Sequence, residues 1–189
     1  AYALENGEPQ FDPGEDQAYS NTNYILLGMA LEEAAGQSMA ELYQTRIFSP
    51  LGLNNTFLLE GVPQEGQIVD GYFTAEGEDD EEAGLVKATD WNATQGWTAG
   101  AIASNAEDMA LYTEALVSGE LFSDPDSLAQ MTDFQEVDPL KFGLMTSYGL
   151  GIGVFPLEAA QAWGHTGGTA GFATLILTIP EKDTNLVYL

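Results

Sequence analysis

Two short segments carry the side chains of chemical interest in this 189-residue sequence: Tyr19, Ser20 and Asn21, ahead of a helical run, and His165, Thr166, Gly167 and Gly168, ahead of a β-pattern. A phenol titrates near pH ~10, so it accepts a proton at neutral pH only where cations stabilise its phenolate. Ser20, Asn21 and Thr22 are also good N-cap residues, and a turn followed by a cap is the competing reading of that segment. His165 is the single histidine, so a His-rich metal site is not available and zinc chemistry is a poor fit; taken alone, it reads more often as a structural hydrogen-bonder than as a catalyst. Gly167, Gly168 and Gly171 permit strand bends or close backbone approach, and the same freedom suits an N–H aimed at an oxyanion.

Several other chemistries are closed. Cysteine is absent, which removes disulfides, thiolate catalysis and Cys-based zinc or iron–sulfur sites together. No Gly-x-Ser-x-Gly elbow occurs, so an α/β-hydrolase triad is not encoded. The acids Glu78, Asp79, Asp80, Glu81 and Glu82 run consecutively, without the alternate spacing of a calcium loop, and read better as a solvated face than as a Ca²⁺ site. The aromatics Trp91, Trp97, Tyr148 and Trp163 are candidates for pocket lining, with core packing the commoner use of such residues.

The elements that must position these groups are legible from pattern. Tyr24, Leu27, Leu31 and Ala34 recur at helical spacing, predicting a helix over Asn23–Ala35 that stops at Gly36. Ser38 with Glu41 forms a capping box opening a helix to about Phe48, before Pro50; Ser104 with Glu107 forms a second, opening a helix that ends at Gly119. The stretch 61–98 reads as long surface loops with short strands around Val69–Phe73 and Leu85–Lys87. Tyr148–Phe155, Phe172–Ile179 and Asn185–Leu189 read as three adjacent antiparallel strands, the last two joined by a turn at Pro180–Asp183. The first 18 residues mix Gly, Pro, Gln and acids as a loop or hairpin remnant, and the hydrophobic finish on Leu189 is unlike a domain boundary, so a fragment at both ends is expected.

Composition sets the outer limits. At 44% hydrophobic and 11% aromatic, a chain of this length buries one domain core. Thirty acidic residues against four basic ones give a formal charge of −26, which repels phosphate backbones and anionic surfaces, so no nucleic-acid partner is expected. No apolar run approaches the ~18 residues of a membrane span, and the amino end lacks a signal-peptide pattern, so no membrane insertion is expected.

The order of four segments resembles one family, the serine hydrolases related to class C β-lactamases, D-alanyl-D-alanine carboxypeptidases and their esterase cousins. Tyr19 to Gly28, preceded by Phe11, Pro13 and Gly14, resembles its Tyr-x-Asn stretch and the helix behind it. Pro50, Leu51, Gly52, Leu53 and Thr56 resemble its Pro-Leu-Gly-Met turn. Ala99 to Met109 is similar to its Gly-rich entry into a later helix, and Gly164 to Phe172 to its third, Lys- or His-Thr-Gly motif.

The resemblance implies roles. Acyl transfer needs a nucleophile, a base and oxyanion donors. In the family the nucleophile is the Ser of Ser-x-x-Lys, so Tyr19 would be the base, Asn21 the substrate-orienting amide, His165 and Thr166 with Gly167 the opposite wall, and Gly168 the donor of one oxyanion N–H. His165 stands where class C β-lactamases carry Lys, which favours a carboxypeptidase, aminopeptidase or esterase relative. Ser-x-x-Lys itself is missing: the residues three before Lys87, Lys141 and Lys182 are Gly84, Asp138 and Ile179. In the family it lies upstream of Tyr-x-Asn, where this chain is expected to be truncated.

The expectation is therefore an α+β, β-lactamase/transpeptidase-like single domain, incomplete at both ends, with a helical region over about 20–140 and an antiparallel sheet over about 145–189. The expected function is serine hydrolysis of an amide or ester through an acyl-enzyme, with the nucleophile outside this chain, the short chain inactive alone, and no cofactor or metal. The expected partners are a small-molecule or peptide substrate and the upstream part of the same domain. The alternative is a non-catalytic module of the same fold. Family membership implies a periplasmic or secreted location, and the acidic surface implies a halophilic setting.

Overall fold

The computed structural model describes residues 8, 10–12, 14–74, 84–90 and 92–189. The acidic run 78–82, Trp91 and most of the first nine residues lie outside the described residues.

Helix α1 spans Asn21–Ala35. Ser20 takes the N-cap, its hydroxyl accepting from the Asn23 N–H, and Gly36 ends the helix at φ 65°, donating to the Glu32 carbonyl. The apolar stripe expected to face a core is partly open, with Leu27 55% and Leu31 44% exposed. What α1 does bury is Gly28, against the 3₁₀ turn Trp97–Ala99: a Cβ there would lie 2.5 Å from the Thr98 side chain, whose hydroxyl donates to the Tyr24 carbonyl at 2.8 Å. Backbone approach, rather than an apolar stripe, fixes the helix in place.

Helix α2, Met39–Tyr43, opens on the expected capping box of Ser38 and Glu41. Its predicted stop before Pro50 needs correction, because helical backbone continues through a π turn, Gln44–Phe48, and helix α3, Ser49–Leu51, to Gly52. Proline lacks an N–H and its ring crowds the carbonyl four residues back. The widened turn, in which the Ser49 N–H reaches the Gln44 carbonyl, accommodates that ring.

Short strands β1 (Phe57–Leu58), β2 (Tyr72–Thr74), β3 (Leu85–Lys87) and β4 (Ile102–Ala103) make two small antiparallel pairs, β1 with β4 and β2 with β3. The strand expected from Val69 begins only at Tyr72. Helix α4 is Ala106–Val117. Its cap is Asn105, whose side chain accepts from Asp108 N–H at 2.8 Å, and not Ser104 as the capping-box reading held. The Ser104 hydroxyl is diverted to Thr56, 2.7 Å away. Helix α5, Asp126–Met131, follows.

The principal sheet is a six-stranded antiparallel meander of β5 (Gln135–Glu136), β6 (Ser147–Tyr148), β7 (Gly153–Leu157), β8 (Ala160–Thr169), β9 (Phe172–Ile179) and β10 (Thr184–Tyr188), each beside its sequence neighbour. Two sequence readings change here. Tyr148–Phe155 is two strands separated by a turn, and β8 lies between them and β9, so the three expected strands are not mutual neighbours. The His-Thr-Gly segment is inside β8 rather than before a strand. The alternation of β8 is masked in sequence by its glycines, which carry no side chain to mark a face. The turn at Pro180–Lys182 is a 3₁₀ turn closed by Asp183 in the left-handed region.

One core cluster, Phe142, Met145, Tyr148, Phe155, Ala162 and Leu177, lies against this sheet; Met39, Leu58 and Ala101 form a second under the α2 end. Among the described residues no helix is long and apolar enough to cross a membrane.

Candidate active site

Tyr19 ends the loop that enters α1 and is held by the N-cap beside it. Its half-exposed ring packs edge-on to Phe142 and Tyr148, at centroid distances of 6.4 and 6.3 Å, and lies 5.9 Å from His165. The two segments singled out in the sequence thus converge at one place. Asn21 sits two residues on, exposed in the first turn of α1.

The sheet register explains why the third motif has a free edge. Pairing between β7 and β8 ends at Gly153 opposite Gly164, whereas pairing between β8 and β9 continues to Thr169 opposite Phe172. Among the described residues, His165 to Thr169 therefore have β9 on one side and no strand on the other. The Val154 carbonyl accepts from Thr146, so Val154 turns toward β6, and strand alternation turns its neighbour Gly153 toward Gly164. Two and four residues further, Thr166 and Gly168 direct their backbone groups past the end of β7. A Cβ at Gly168 would meet nothing within 4 Å. Gly167 is constrained, since a Cβ there would fall 2.3 Å from the Thr174 hydroxyl, and Gly164 more so, at 1.9 Å from the Ile176 carbonyl oxygen.

Sequence reasoning missed the residues that complete this cluster. Tyr148, read as core or pocket lining, is buried and its hydroxyl lies 3.0 Å from His165 Nε2. The signal was the glycine row: Tyr148 is registered against Gly153, and Gly153 against Gly164, so no side chain stands between Tyr148 and the neighbour of Gly164. Phe142, from the loop before β6, closes the other side of Tyr19.

Burial dominates the electrostatics of this cluster. Burial, with the Tyr24 hydroxyl nearby, raises the Tyr19 phenol above its ordinary value. Burial, hydrogen bonding to Tyr24 and the charge of the other phenols raise Tyr148 strongly. Both hold their protons at neutral pH. Lys87 is engaged elsewhere, paired with Asp70 at 2.9 Å and Asp90 at 3.7 Å. Among the described residues no cluster of three or more His, Asp or Glu side chains could hold a metal ion.

The family model for beta-lactamases matches residues 1–189. The chain belongs to the beta-lactamase family. Members of this family are serine hydrolases. This member is 27% identical over 188 residues to penicillin-binding protein 4* of Bacillus subtilis, covering 95% of the chain and 40% of that protein. It is 27% identical over 183 residues to the D-aminopeptidase of Gluconobacter oxydans, covering 94% of the chain and 32% of that protein. It spans half or less of the length of these curated relatives. The crystal structure of D-amino acid amidase from Ochrobactrum anthropi SV3, complexed with D-phenylalanine, superposes with a TM-score of 0.84 at 24% identity over 98% of this chain and 54% of that one. The β-lactamase/transpeptidase-like fold expected from the sequence is the fold of this beta-lactamase-family chain.

Proposed function

We propose that the chain supplies the base and the oxyanion edge of a serine acyl-transfer site that hydrolyses an amide or ester, most simply a peptide or amide with a D-residue. The observation that carries this reading is the convergence of Tyr19 with His165 where β8 outruns β7 and, among the described residues, leaves Thr166 and Gly168 without a strand partner on that edge.

In this reading a serine of a Ser-x-x-Lys segment outside the chain attacks the carbonyl. Tyr19 takes its proton, and the Gly168 N–H receives the developing oxyanion. Asn21 orients the substrate amide, and His165 with Thr166 and Gly167 forms the far wall. Tyr19 can act as a base only once a cation offsets the burial that raises it, and the Lys of Ser-x-x-Lys would be that cation. The D-aminopeptidase at 27% identity and the His-Thr-Gly form of the third motif favour D-peptide or amide substrates over β-lactams. A periplasmic or secreted location, implied by the family resemblance, is part of the same proposal.

The test is covalent labelling. The 189-residue chain alone should be neither labelled by a fluorescent fluorophosphonate nor active on D-amino-acid amides. A chain extended upstream to include Ser-x-x-Lys should be labelled on that serine, and Tyr19→Phe should lower its turnover by ~10²-fold or more. Labelling of a serine within the short chain would overturn this mechanism. An extended chain that carries Ser-x-x-Lys, folds and stays unlabelled would favour a non-catalytic module.

A further inference from the structure

We propose that Tyr148 is a positioning residue of this site, donating its hydroxyl proton to His165 Nε2 and so holding the imidazole in the Nδ1–H tautomer with both ring nitrogens engaged. The inference rests on reading the Tyr19–His165 cluster as the active site, but its geometry and its test are independent of activity.

The hydrogen-bond directions follow from what each atom can do. His165 Nδ1 is bonded to the Thr166 backbone carbonyl, an oxygen that only accepts, so Nδ1 carries the proton. In a neutral imidazole the other nitrogen is then an acceptor, and its partner at 3.0 Å is the Tyr148 hydroxyl, which must donate. The Thr166 carbonyl is free to take the Nδ1 proton because it faces the unpaired edge of β8, beyond Gly164. Tyr148 is 8% exposed, its ring is packed against Phe142, and it is registered on the Gly153–Gly164 row; its other hydrogen-bond partner, the Tyr24 hydroxyl, donates to the Tyr148 oxygen in this arrangement and leaves the Tyr148 proton to His165.

The consequence concerns the division of labour. His165 meets Tyr19 through its ring, at 5.9 Å and an interplanar angle of 34°, and neither nitrogen is open to take a proton from that phenol. His165 therefore shapes the wall of the site, and proton transfer belongs to Tyr19 and whatever cation is brought beside it.

Because His165 is the only histidine, ¹⁵N-labelled chain without a histidine tag gives a single imidazole signal set that requires no assignment. Two-bond ¹H–¹⁵N correlation above the pH of ring protonation should show a protonated Nδ1 and an unprotonated Nε2 shifted by an accepted hydrogen bond. In Tyr148→Phe that shift should be lost, with Nδ1 still bonded to the Thr166 carbonyl, while Tyr19→Phe, which removes no bond to either nitrogen, should leave the Nε2 signal unchanged. The wild-type spectrum decides even if Tyr148→Phe fails to fold. A predominant Nε2–H form in the wild type, an imidazolium under those conditions, or a folded Tyr148→Phe whose Nε2 signal keeps the wild-type shift would each overturn the assignment. None of these outcomes depends on whether the protein hydrolyses anything.

Discussion

The Asp108 carboxylate accepts from Thr56 Oγ1 at 2.7 Å, tying the first turn of α4 to the turn that follows Gly52. The same oxygen accepts from the Asn55 N–H at 2.8 Å, and Asp108 is 4% exposed. The single Thr56 proton goes to the carboxylate, so the Ser104 hydroxyl is the donor in the 2.7 Å bond to Thr56. This is where the serine of the expected capping box went. A buried carboxylate that satisfies two donors is costly to remove, because each orphaned donor forfeits about 1–3 kcal/mol.

Asp108→Ala should accordingly lower unfolding free energy by ~3 kcal/mol or more in urea titrations. Asp108→Asn, which keeps an acceptor oxygen, should recover part of that loss. Equal midpoints for Asp108→Ala and the parent would mean the Thr56 and Asn55 donors are satisfied in another way.

The glycines of β8 should separate fold from chemistry. Gly164→Ala drives a methyl group to 1.9 Å from the Ile176 carbonyl oxygen, a clash with backbone that no rotamer relieves, and should cost ~3 kcal/mol or prevent folding. Gly168→Ala enters open space and should change stability by no more than ~0.5 kcal/mol. Thermal midpoints of the two variants give the comparison. A Gly168→Ala variant as damaged as Gly164→Ala would contradict the free edge of β8.

What was legible in the sequence follows from how local each signal is. Ser20, Gly36 and the Ser38–Glu41 box act within one helical turn, and α1 and α2 begin at or close to the expected places. Asn105 in place of Ser104, and helical backbone through Pro50, were decided by long-range partners: Asp108 and Thr56 in the first case, a widened π turn in the second. Tyr19 and His165 were visible as types, yet Tyr148 entered the site through strand register, which pattern alone does not specify when glycines interrupt the alternation.

The raised phenol of Tyr148 fixes the sign of a pH effect. A group that holds its proton more tightly when folded contributes stability below its unfolded pKa, near ~10 for tyrosine, and loses it as pH rises from there toward the folded value. Tyr148→Phe should be less stable than the parent at pH 7, where the bond to His165 is lost, and the gap should narrow as pH rises above ~10. Chemical denaturation at pH 7, 9 and 10.5 measures it. A gap that stays constant would detach the Tyr148 proton from the stability of the site.

The largest electrostatic feature is global. With 30 acidic residues against 4 basic ones, a net charge of −26 cannot be neutralised internally, and the described salt bridges at Lys87 engage only Asp70 and Asp90. Self-repulsion on that scale destabilises the compact state, and salt relieves it by shortening the Debye length from ~30 Å at 0.01 M to ~10 Å at 0.1 M and ~3 Å at 1 M. The thermal midpoint should therefore rise by at least ~4 °C between 0.01 and 1 M NaCl. A large part of the rise should fall below about 0.3 M, where screening changes fastest, whereas strengthening of apolar burial by salt would grow steadily to the molar range. Lowering the pH toward 4 protonates a fraction of the carboxylates, so the salt increment should shrink there even as the protein as a whole is weakened. A midpoint that is flat or falling with salt at pH 7 would remove the halophilic reading, and an increment that is the same at pH 4 and pH 7 would show that carboxylate repulsion is not its source.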